Sequence, residues 1–340
     1  MEDEVLVYSL GATALQKYDE NAGTMKLALR PEELLEAAVS QFPQTKARLK
    51  CAFPYRSGAE LTFDVLLEVA VAILSEPNNG FVLVCGTDTL EEAAFALHLM
   101  LGLQLQSCGK TLVVTGAMLP ADALGSDGPT NLRDAIQVAA GAGGTGNQGS
   151  PADVLVVMNS CIHLGRYVTK ADSQLLGAFR SHPGPIGQLR GGVPVWSYAP
   201  PRNATALCLP TDTIDTLHLG KLKTHVAIWP LAVSAFLPEA LLQELDGLVL
   251  AASGTGSVPA SLVNQLSPAW TSRLPVVIVS RCGVGANHDC FLYRGSRDKY
   301  ESRGFILGDG YEHLNPLQAR TLMVLRLSTL GTACPGTAQC

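Results

Sequence analysis

The chain has 340 residues, 47% hydrophobic and 16% charged, with a net charge of -6 and a pI near 5.6. That length exceeds the usual size of one core, so two domains are expected, and the composition excludes a disordered chain. An acidic balance without a basic patch argues against nucleic acid and anionic membrane as partners, and no apolar run reaches the roughly 18–20 residues that cross a bilayer.

The first residues, MEDEVLVYSL, carry acids where a secretory leader carries bases, so a cytoplasmic protein is expected. Nine cysteines without C-x-x-C spacing predict neither a disulfide framework nor a zinc site. Cys282 and Cys290 flank His288 at a spacing that fits no familiar metal site.

Residues 4–10 read as a strand that runs into Gly11-Ala12-Thr13. Residues 30–42 and 61–74 repeat apolar positions at helical spacing, the first with Pro31 near its start. Residues 80–86, GFVLVCG, are a strand. TLEEAAFALHLMLG, starting at Thr89, is an amphipathic helix with Asp88 or Thr87 as its N-cap and acids in its first turn. A strand over 110–118 and a helix over 128–140 follow. The glycine-rich stretch 141–151 contains G-x-G fragments, but it joins a helix to a strand, the reverse of a phosphate loop, and is read as a flexible loop. Residues 152–160 are a strand. The stretch 191–213 has four prolines and little periodicity and is the linker; its Asn203-Ala-Thr sequon would go unused in a cytoplasmic chain. Beyond it lie a strand at 225–231, a helix at 238–245, strands at 246–258 and 275–285 that each run into a glycine-rich turn, and a closing helix at 315–328. Near-continuous apolar strands alternating with helices predict an α/β fold, its parallel sheet covered on both faces. The expected boundaries are 1–190, a linker at 191–219, and 220–340.

Ligands of a parallel α/β sheet bind beyond the carboxyl ends of the strands. Those ends present Thr13, then Thr87, Asp88 and Thr89, then Gly116-Ala117-Met118, and, past CIHLGRYVTKAD, Lys170. Each threonine or aspartate alone reads as a helix cap or turn residue. Together they suit an activated hydroxyl: threonine is a weak nucleophile that needs help, and a lysine beside a carboxylate can relay protons. The seven histidines show no triad-like placement.

GTDTLEEAAFAL closely resembles the G-T-D-T-M-E-E-T-A signature of the bacterial-type L-asparaginase family, the threonine amidohydrolases. VVTGAMLPADALGSDGPTNLRDAI, VVMNSCIHLGRYVTKADSQLLGAF and RGFILGDGYEHLNPLQARTLMVL resemble three further blocks, so the likeness covers nearly the whole chain. The resemblance implies a larger N-terminal α/β domain, a linker and a smaller flavodoxin-like C-terminal domain. It implies a threonine that attacks a side-chain amide, releases ammonia and leaves an acyl-enzyme for water to hydrolyse. Thr13 matches the nucleophile, and Thr87, Asp88 and Lys170 match the second catalytic set. Asp88 also matches the grip on the substrate's α-ammonium, and Gly11 and Ala117 match positions lining the pocket. The family needs no metal or organic cofactor. Its partners are a small amide substrate and further copies of the chain, as homodimer or homotetramer.

The match departs from the pattern at recognition positions. The family's second glycine before the nucleophile is Ala12, whose methyl would crowd a substrate or disfavour a positive φ. The α-carboxylate-binding serine falls at Gly58, or at Ser57 with one insertion, and its neighbour at Ala59. The lid tyrosine has no clean match: counting lands near Thr24, and Tyr18 lies closer to the nucleophile. Cys85 replaces a histidine, and Thr255 stands where a neighbouring subunit offers asparagine. Three readings stay open: hydrolysis of L-asparagine or a related β-amide, acyl or ammonia transfer on the same scaffold, and non-catalytic amino-acid binding.

Overall fold

The computed structural model describes residues 4–40, 42, 44–54, 57–141, 149–200, 207–211, 214, 224–289 and 291–330. The chain forms two units, Met1–Ile214 and Asp215–Cys340.

In the first unit, runs of β-branched and aliphatic residues have only extended conformations that bury both faces. β1 (Val5–Ser9), β5 (Gly80–Val84), β6 (Thr111–Thr115) and β7 (Val154–Met158) are buried along their whole lengths. With β4 (Ala47–Ala52) they form a parallel core in the order β4-β1-β5-β6-β7. The sheet then continues antiparallel through β8 (Cys161–Leu164), β11 (Gly187–Arg190) and β12 (Val193–Trp196). Alternate residues go to opposite faces. Val5, Val7, Val82, Val84, Val113, Leu155 and Val157 pack on α1 (Pro31–Val39) and α4 (Gly128–Ala140). The other helix pair is α2 (Phe63–Leu74) and α3 (Leu90–Cys108). Two hairpins lie outside the sheet: β2 (Gln16–Asp19) with β3 (Thr24–Leu27), and β9 (Val168–Lys170) with β10 (Phe179–Ser181).

Three expectations change here. The helix after Thr89 is buried on nearly all sides rather than amphipathic, because α2 and the sheet pack against it. It also passes Gly102 and ends at Cys108, with Gly109 left-handed at φ 69°. The stretch expected as linker opens with strand β12, and Pro194 is tolerated there because β12 is an edge strand. Asn203, and all but the ends of the glycine-rich loop 141–151, lie outside the described residues.

The second unit holds a parallel sheet in the order β13 (Val226–Pro230), β14 (Gly247–Ala252), β15 (Val276–Ser280). α5 (Glu239–Leu242), α6 (Ala260–Leu266), α7 (Asp298–Glu301) and α8 (Pro316–Leu330) accompany it. Cys290 lies outside the described residues. His288 is a core histidine, with Nε2 3.3 Å from the Ile278 carbonyl oxygen, its ring edge-on to Tyr300, and burial lowering its pKa.

Candidate active site

The carboxyl ends of β1, β5 and β6 are neighbours in the sheet, so Thr13, Thr87-Asp88 and Ala117 emerge along one edge. Beyond β1 the backbone turns through Gly11 at φ 86° and Ala12 at φ 74°, ψ -164°. Ala12 therefore keeps the positive φ that its methyl disfavours, in a region otherwise reserved for glycine. Thr13 then opens a 3-10 turn, Thr13–Leu15, and stays half-buried, while Gly11 is buried and donates its N–H to Ser9 Oγ at 3.2 Å.

Past β5 the chain runs Cys85-Gly86-Thr87-Asp88-Thr89. Burial pushes the Cys85 thiol up to about 12, so the residue at the family's histidine position is an inert neutral thiol. The N-cap of α3 is Thr89, and neither Thr87 nor Asp88 caps the helix. Thr89 Oγ1 instead donates to the Gly58 carbonyl at 2.7 Å, tying the turn Gly58–Glu60 to this loop. The two backbones touch at Gly86: a β-carbon there would stand 2.6 Å from Gly58 Cα and 3.4 Å from Ala12 Cβ. One on Gly58 would stand 3.2 Å from Asp88 Cβ. Ser57 and Gly58 thus lie against the Asp88 loop, with the Ser57 N–H 3.4 Å from Glu60 Oε2.

Lys170 closes the cluster. Its Nζ donates to Thr87 Oγ1 at 3.0 Å and to Asp88 Oδ1 at 2.9 Å. Thr87 is 6% exposed and the Lys170 side chain 14%, whereas the Asp88 side chain is 71% exposed. The ammonium is therefore held on a buried hydroxyl at one side and on a solvent-facing carboxylate at the other. Such an arrangement can polarise Thr87 and present Asp88 to a cation arriving from outside.

Three residues that support this edge carry no periodic signal in the sequence. Glu91, in the first turn of α3, accepts hydrogen bonds from the Thr169 side chain and the Lys170 backbone, and burial raises its pKa. Asp127 accepts from the N–H groups of Met118 (3.0 Å) and Leu119 (2.9 Å) and from Asn131 Nδ2 (2.9 Å). Asn131 Nδ2 also donates to the Gly116 carbonyl at 3.0 Å, and its Oδ1 accepts from Asn159 N–H at 3.0 Å. The loop bearing buried Ala117 is thus clamped by α4.

Tyr18 does not join the cluster. It sits on the β2–β3 hairpin, 55% exposed, with its N–H donating to Asp122 Oδ2 at 2.8 Å. Thr24 lies on the opposite strand, paired with Asp19. Thr255 belongs to the second unit, in the turn after β14, where its carbonyl accepts from His288 N–H at 2.6 Å.

Residues 4–202 match the family model for the N-terminal asparaginase domain, and residues 225–332 match that for the glutaminase/asparaginase C-terminal domain. The chain is 32% identical to L-asparaginase 2 of Escherichia coli K12 over 303 residues, 86% of this chain and 80% of that protein. It is 29% identical to the glutaminase-asparaginase of Pseudomonas aeruginosa, over 91% of this chain and 81% of that one. The solved structure of a probable cytoplasmic L-asparaginase from Campylobacter jejuni superposes with a TM-score of 0.76 at 25% identity, covering 96% of this chain and 95% of that chain. The N-terminal model spans the Thr87-Asp88-Lys170 cluster and its sheet, the C-terminal model spans the sheet of the second unit, and the chain belongs to the asparaginase family of amidohydrolases as a divergent member.

Proposed function

We propose that the protein hydrolyses the side-chain amide of L-asparagine or a related β-amide through a Thr13 acyl-enzyme. The observation that carries this reading is the Lys170 ammonium bonded to both Thr87 and Asp88, at the sheet edge from which Thr13 also emerges. Thr13 Oγ attacks the amide carbonyl, the C–N bond breaks, and ammonia leaves with the hydroxyl proton. Water, oriented by Thr87, then cleaves the ester and regenerates Thr13. Lys170 and Asp88 relay the protons, and Asp88, facing solvent, holds the substrate's α-ammonium. Gly11 and Ala117 line the pocket. Tyr18 acts as a lid residue once its hairpin closes.

At the α-carboxylate end, Ser57 is the remaining hydroxyl, because Gly58 and Ala59 carry none. Each lost contact to a charged group removes about 1.5–3 kcal/mol of binding. Free asparagine is then a weaker substrate than an amide whose binding does not depend on that carboxylate. The setting of this reading is a cytoplasmic homo-oligomer without cofactor. Among the described residues no helix is long and apolar enough to cross a membrane.

The test is ammonia release from L-Asn, D-Asn, L-Gln and β-amides lacking the α-carboxylate, by wild type and Thr13→Ala. The expected result is turnover of at least one β-amide that falls by on the order of 10³-fold or more in Thr13→Ala. Equal release by the two proteins, or ligand binding with no release, overturns the reading.

A further inference from the structure

Away from this edge, α3 carries a polar trio that amide hydrolysis does not use. His98 is 1% exposed, with Nδ1 2.8 Å from Asp153 Oδ1. Its Nε2 lies 3.7 Å from Cys208 Sγ, and the same sulfur is 3.3 Å from the His98 carbonyl oxygen. Cys208 is held there by its own segment: Leu209 N–H donates to the Leu99 carbonyl at 2.8 Å, and Gln104 Nε2 to the Thr211 carbonyl at 3.2 Å. The sulfur lies in the notch left by Gly102, where a β-carbon would stand 2.6 Å from Sγ. Cys208 as a residue is partly exposed. Burial alone would strip His98 of its proton. The hydrogen bond and charge of Asp153 outweigh it, with Cys208 adding to them, and lift the imidazole to about 9.

A thiol, an imidazolium at the sulfur and a carboxylate holding its far nitrogen are the parts of an activated cysteine. The alternative, a metal cage, does not fit: the two partners sit at opposite ring nitrogens and do not converge on a common point. Cys108 and Cys282 are more exposed than Cys208, and among the described residues neither is hydrogen-bonded to a histidine.

We propose that Cys208, His98 and Asp153 form a reactive-thiol site that takes small hydroperoxides, independently of the amide-cleaving reading. The thiol proton leaves to solvent, and the His98 imidazolium, held by Asp153, stabilises the thiolate. The sulfur attacks one peroxide oxygen, so the S–O bond forms as the O–O bond breaks. Sulfur loses two electrons, peroxide is reduced, and Nε2–H gives its proton to the departing hydroxide and regains one from solvent. The products are Cys208 sulfenic acid and water, and a thiol reductant reverses the change.

The experiment treats the intact protein with hydrogen peroxide in the presence of a sulfenic-acid trap and follows tagging of each cysteine-containing peptide by mass spectrometry. Cys208 is expected to be tagged on the order of tenfold faster than Cys108 and Cys282. His98→Gln and Asp153→Asn, checked for folding by circular dichroism, should lose that lead. Tagging of Cys208 no faster than Cys108 or Cys282 in the wild type overturns the proposal, and needs no variant. A lead that survives in folded His98→Gln overturns it as well.

Discussion

Residue by residue, the most informative departure is Ala12. Its φ of 74° and ψ of -164° lie in a region that costs a non-glycine residue about 1–3 kcal/mol. Against that, glycine at the same position loses about 0.5–1 kcal/mol in the unfolded chain and gives up one buried methyl of about 0.8 kcal/mol. The balance runs from about 0.8 kcal/mol against Ala12→Gly to about 1.7 kcal/mol for it, with a centre of about 0.5 kcal/mol in its favour, read as a rise in the urea midpoint. A clear loss of stability would show that the methyl's packing beside Gly86 outweighs the strain. The Thr87, Asp88 and Lys170 cluster was legible because strand ends and motif point to the same residues. Glu91, Asp127 and Asn131 were not. Their work is to bond groups across loops, and in sequence such a side chain looks like any polar residue near a helix start.

At the scale of elements, the buried parallel strands were read from their apolar runs, and the short polar ones were missed. β2 and β3 are half-exposed and show no clean period, whereas β4 alternates apolar residues with Arg48 and Lys50 over a stretch too short and too charged to stand out. α3 outran its expected end because Gly102 serves a close approach of Cys208, not a stop. Two buried histidines on these elements set a pH profile. His98 on α3, raised to about 9 from an ordinary 6.5, contributes stability present below 6.5 and lost as pH rises towards 9. His163 on β8 runs the other way. Burial, and then the Arg180 charge, lower it to about 4, so its contribution is present above 6.5 and lost as pH falls from 6.5 towards 4. Thermal melts across pH 5 to 9 should therefore peak near 6.5, with His163→Asn flattening the acid limb. A melting temperature that climbs steadily across that range contradicts the account.

For the whole molecule, the two-unit α/β organisation followed from length and from the return of strand–helix alternation after the proline-rich stretch. The unit boundary falls between Ile214 and Asp215, inside the expected linker 191–219, and the opening of that stretch was misread, because prolines in an edge strand and prolines in a connection look alike. The central claim is that this scaffold still performs threonine chemistry despite altered recognition positions. The most direct test is acid quench during turnover of the best β-amide, followed by peptide mapping by mass spectrometry. The account predicts an acyl adduct on Thr13, present in wild type, absent in Thr13→Ala, and accumulating in Lys170→Met, where the relay that serves deacylation is removed. Ammonia release with no adduct on Thr13 in any of these proteins, or with the adduct on another residue, would contradict it.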